Sequence, residues 1–89
     1  MESPERARPK EGVLEGQEES RRLRRLQWMI GMVLSAIYQD PNLTVEQASE
    51  LAANARNAAL EMFPGKELAF DLLYRPRLQR AMRDRFQTQ

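Results

Sequence analysis

Between Leu26 and Tyr38 the chain reads LQWMIGMVLSAIY, its one nearly unbroken apolar run, and no other stretch restricts the fold as strongly. At thirteen residues the run is too short to span a bilayer, which takes about twenty. On a helix of 3.6 residues per turn, Leu23, Leu26, Ile30, Val33 and Ile37 make one stripe. Trp28, Met29, Met32 and Ala36 widen that apolar surface past a half-cylinder. Only Gln27, Gly31 and Ser35, spaced four apart, form a narrow small or polar sector. A helix this apolar has to be covered on most sides, by the rest of the chain or by a second copy of it.

The rest of the chain offers limited cover. Of its 89 residues, the first twelve, MESPERARPKEG, hold two prolines and six charges. That composition buries too little surface to offset the entropy of ordering. The expected organisation is a disordered charged tail over residues 1–19 and a single helical domain over 20–87. A domain of that size hides only about 60% of its unfolded surface, so it is marginal alone and gains from oligomerisation. The chain has no cysteine and no histidine, which removes disulfides, thiolate metal sites, the commonest metal ligand and the commonest general base. The first twenty residues carry no apolar signal segment, so a cytoplasmic protein is expected.

Punctuation along the chain divides it into four helices. The first is expected to begin between Val13 and Ser20 and to run to Gln39, with Glu18 and Arg22 forming a favourable i, i+4 pair. Asp40-Pro41-Asn42 is a turn signal. Thr44-Val45-Glu46-Gln47 then fits a capping box that opens a second helix to Phe63. In that helix Val45, Ala48, Leu51, Ala52, Ala55, Ala59 and Met62 share one face, and Glu46, Glu50, Asn54, Asn57 and Glu61 share the other. The alanine-rich face allows close approach to the first helix, and the short connection predicts an antiparallel hairpin. Pro64-Gly65 ends the second helix. A short third follows, whose Leu68, Phe70, Leu72, Leu73 and Tyr74 predict a segment wedged in the core. Pro76 breaks the chain again and is expected to open a fourth helix in which Leu78, Ala81, Met82 and Phe86 face inward. No segment alternates as a strand does, so the expected fold is all-α, a small helical bundle.

Chemistry is sparse. Glu46 and Glu50 share a helix face but have no nucleophile or proton partner nearby, and Asp40-Pro41-Asn42 lacks calcium-loop spacing. No catalytic residue, metal ligand, cofactor site or small-molecule substrate is therefore expected, and the chain reads as a non-catalytic interaction or assembly module. Homodimerisation through the first helix is expected to use Trp28, Met29, Gly31, Met32 and Ser35, where Gly31 and Ser35 are small enough to admit another helix. The remaining signal is arginine. The net charge is only +1, yet Arg21, Arg22, Arg24 and Arg25 precede the apolar run, and arginines crowd RPRLQRAMRDRF. Guanidinium groups pair bidentately with carboxylate or phosphate, so Arg75, Arg77, Arg80 and Arg83 are the expected surface for an acidic protein partner.

Two further readings use the same basic residues. A nucleic-acid-binding protein would contact phosphates through segments 21–25 and 75–85. A helix-turn-helix version is disfavoured, because Glu46, Glu50 and Glu61 would line the helix offered to the groove. Single-strand binding would need exposed stacking aromatics, whereas Trp28, Phe63, Phe70, Tyr74 and Phe86 are all expected in the core. Interfacial membrane docking of the first helix is disfavoured because the following helices supply the apolar faces it needs.

Overall fold

The computed structural model describes residues 10–87, and they form an all-α bundle of four helices. These are α1 (Lys10–Gln39), α2 (Val45–Met62), α3 (Glu67–Leu73) and α4 (Arg75–Phe86). With 30 residues α1 is about 45 Å long, and it packs against α2 and α4. In turn α3 lies against α2 and α4, which also touch each other.

Each junction follows from local chemistry. Behind α1, the Asp40 carboxylate accepts from the Asn42 amide at 3.0 Å, closing the turn that Pro41 forces. The Thr44 hydroxyl accepts from the Gln47 amide at 3.1 Å while the Gln47 side chain accepts from the Thr44 amide at 3.0 Å, so the capping box that opens α2 is complete. Gly65, at φ +80°, makes the left-handed turn that separates α2 from α3. Pro76 sits in the first turn of α4, where its missing amide would have had no partner within the helix. The α3 to α4 boundary is therefore abrupt, and Tyr74 alone separates the two helices.

The core is built on the inner stripe of α1. Leu26, Ile30, Val33 and Ile37 are buried, and Ile30 and Ile37 expose no surface at all. They meet a ridge of Ala48, Ala55 and Ala59 on α2, Phe70 on α3, and Leu78 and Ala81 on α4. Alanine at those α2 positions keeps the helix close to its neighbours, so the branched side chains of α1 fill the space between. The last turn of α1 carries no basic residue to complement its C-terminal carbonyls. Arg85 of α4 does so instead, donating from Nη1 to the Ile37 carbonyl at 2.7 Å.

Three expectations differ from what is observed. Helix α1 begins at Lys10, upstream of the expected start, and takes in residues 10–19 that composition assigns to the charged tail. Residues 1–9 of that tail lie outside the described residues. Gly12 and Gly16 each weaken helix by about 1 kcal/mol relative to alanine, but Glu18 and Glu19 are good helix formers. The Glu18–Arg22 pair adds to this at 3.4 Å. Second, α3 is not wedged in the core: Phe70 is buried, but Leu68, Leu72 and Leu73 are exposed. Seven residues make only two turns, and such a helix can turn only one face to its neighbours. Third, Trp28 lies outside the core, as described next.

Candidate functional site

Along the outer side of α1, away from the buried stripe, Trp28 is 68% exposed and Met32, one turn on, is 52% exposed. Gly31 and Ser35 lie beside them in the open, and a Cβ built on Gly31 would meet nothing within 4 Å. Of the five residues expected in a dimer interface, the fold brings these four together on one face. Met29 departs from them: it is half-buried and packs against the core. Its position three residues before Met32 turns it about 60° around the helix, onto the shoulder of the inner stripe. Toward the N-terminus the outer face continues through the exposed Arg21, Arg24 and Arg25, while Arg22 turns to Glu18.

The four arginines expected to meet an anionic partner are all exposed, but α4 distributes them over two flanks. Arg77 and Arg80 lie together on one flank of α4. Arg77 stands over the Tyr74 ring at 6.0 Å, and beside Arg80 the Tyr38 hydroxyl donates to Asp84 at 3.0 Å. Loss of hydration, and then the hydrogen bond to Asp84, push the Tyr38 phenol above its ordinary value.

Arg75 and Arg83 lie on the other flank with Gln79 between them, at intervals of four, and line a groove of about 700 Å³. The opposite wall is Ala52 and Ala53 of α2, and Phe70, Leu78 and Met82 make an apolar floor. Arg56 stands in the same groove and grips Asp71 of α3 with two parallel hydrogen bonds, Nε to Oδ1 at 2.9 Å and Nη2 to Oδ2 at 3.1 Å. This bidentate contact, with a smaller contribution from the charge of Arg75, holds the Asp71 carboxyl below the usual carboxylate range. It also raises the Arg56 guanidinium above its ordinary value.

Arg56 is the residue that reading the chain as a string misses. Its partner lies 15 positions away on another helix, and its neighbours in α2 are alanine and asparagine, so no local charge pattern marks it. Arg85, by contrast, belongs to the structure rather than to a surface: it caps α1, and its guanidinium lies 5.2 Å from the Phe86 ring.

A smaller apolar hollow of about 270 Å³ opens between α1, α2 and α3, with Leu23, Leu60, Phe63 and Leu73 in its walls. Among the described residues no three acidic, cysteine or histidine side chains gather as a metal site, and no helix is long and apolar enough to cross a membrane. No protein-family model, curated protein or solved structure matches the chain.

Proposed function

We propose that this protein is a non-catalytic, cytoplasmic assembly module that forms a homodimer across the outer face of α1. The observation that carries this reading is the exposure of Trp28 and Met32 at the middle of the longest helix. Aromatic side chains and methionine are enriched at the centres of protein interfaces, where a tryptophan buries roughly 150–250 Å². Gly31 and Ser35 leave room for a second helix to approach. Charge sets the direction of pairing. Arg21, Arg24 and Arg25 stand at one end of this face, so a parallel pair would bring six guanidinium groups together, and an antiparallel pair keeps them apart.

Sedimentation equilibrium across a concentration series tests this reading, and the single tryptophan offers a second readout. Dimerisation buries Trp28, so its emission moves to shorter wavelength as concentration rises. Both Trp28→Glu and Met32→Glu are expected to give a folded monomer, because neither side chain contributes to the core. A dimer indifferent to both substitutions would rule out this interface.

Nucleic-acid binding through segments 21–25 and 75–85 is the alternative. It draws on the same exposed arginines, although the two flanks of α4 divide the phosphate-tracking face that such binding would want. Affinity for DNA or RNA that falls steeply between about 50 and 200 mM salt would support it, and no binding at low salt would end it.

A further inference from the structure

We infer that the groove between α2 and α4 is a docking site for an acidic amphipathic helix of a partner protein. The inference goes beyond the homodimer and does not depend on it, since no residue of α1 lines the groove.

Shape is the first argument. Ala52 and Ala53 give the α2 wall almost no bulk, so a helix laid along the groove can approach its floor closely. That floor, Phe70, Leu78 and Met82, is apolar and offers the adaptable surface of a methionine to incoming aliphatic side chains. The rim is open, with Ala53, Arg75, Gln79, Arg83 and Gln87 all exposed, which suits an elongated occupant better than an enclosed small molecule.

Charge is the second argument, and it specifies the occupant. Arg75 and Arg83 are two turns apart on α4, about 12 Å along the helix axis. An incoming helix with carboxylates at i and i+7 or i+8 spans the same length and sets its apolar side chains at i+3 and i+4 between them. Gln79 stands midway and supplies both a donor and an acceptor. Arg56 spends two of its five N–H donors on Asp71 and keeps three for a further carboxylate. The groove's lining carries arginine and glutamine but no acid, Asp71 is taken up by the bidentate contact, and Glu67 is a further, weaker negative charge near Arg56.

The same features weigh against a nucleic-acid occupant. Phe70 is only 5% exposed within the floor and presents no open face for a base to stack on. Arg77 and Arg80, which a phosphate backbone would also need, lie on the opposite flank of α4.

The experiment uses the full chain, labelled with nitrogen-15, and three probes: a designed acidic amphipathic helical peptide with leucines at i+3 and i+4 and glutamates at i and i+7, the same peptide with lysine for glutamate, and a single-stranded oligonucleotide. The acidic peptide is expected to shift the amide signals of Ala53, Gln79 and Met82 and to bind more tightly than the lysine peptide. Ala53→Trp fills the groove and should abolish those shifts. The double variant Arg75→Glu, Arg83→Glu should reverse the preference by about tenfold or more in favour of the lysine peptide. All three positions are exposed, and the dispersion of the amide spectrum shows directly that each variant is folded before its peptide preference is read. The inference is overturned if the acidic peptide leaves the groove signals unmoved, if both peptides bind alike, if the shifts fall on Arg77 and Arg80, or if the oligonucleotide competes the peptide from the groove.

Discussion

The inner and outer faces of α1 both carry large apolar side chains, in opposite circumstances. Leu26, Ile30, Val33 and Ile37 are at most 9% exposed, while Trp28 and Met32, from the same turns of the same helix, are 68% and 52% exposed. Hydrophobicity does not separate them, because tryptophan and methionine lose as much contact with water on burial as the aliphatic side chains do. What separates them is supply. Three following helices, one of them only seven residues long, can cover about one side of a 30-residue helix. The uncovered side is where the chain has apolar surface left to offer another molecule.

That contrast can be broken from its buried side first. Ile37→Ala removes a side chain with no exposed surface from the junction of α1 and α4, and should cost about 2–5 kcal/mol in urea unfolding, near the whole stability of so small a domain. A loss under about 1 kcal/mol would mean that the core re-forms around the cavity and that the inner stripe is less decisive than its burial implies.

Intermediate in exposure is the pair Arg56–Asp71, which ties α2 to α3. Because Asp71 is held below its ordinary value by Arg56, its contribution is complete above the unfolded carboxylate value, near pH 4, and is lost as the pH falls through the lower folded value. The stability difference between the wild type and Asp71→Asn should therefore be constant near neutral pH and shrink below about pH 4. A difference that persists unchanged into strong acid would show that the carboxylate's charge plays no part. At the far end of the scale, Trp28→Ala should change monomer stability by no more than about 0.5 kcal/mol, as expected for a side chain outside the core. That near-neutrality, set beside the cost at Ile37, sharpens the comparison.

Legibility follows the range of the interaction. The capping box at Thr44, the turn at Pro41, the glycine at 65 and the break at Pro76 are each written within four or five residues, and all four appear where the string places them. The buried stripe of α1 and the alanine ridge of α2 were legible as well, since helical period alone brings them to one face. Trp28 was not legible as either core or surface. Period assigns it a direction, and only the number and placement of other helices determine what stands there. The α3 leucines failed in the same way, because their number suggested burial while the length of the helix prevented it.

The candidate site divides along the same line. Four of the five residues expected on the α1 face lie together there, because they are neighbours on one helix. The α4 arginines, close in sequence, are split between two flanks by the direction in which Leu78 and Ala81 turn inward. Arg56 shares the groove wall with Ala52 and Ala53 by helical period, but only the fold-back of α3 gives it Asp71 as a partner.

By itself the sequence determined the four helices, the junctions between them and the buried sides of α1, α2 and α4, because these depend on backbone preferences and a fixed 3.6-residue period. Tertiary structure decided which apolar face stayed open, which arginines share a groove and which carbonyl Arg85 caps. These depend on contacts between segments far apart in the chain, and such contacts exist only once four helices have competed to cover the same core.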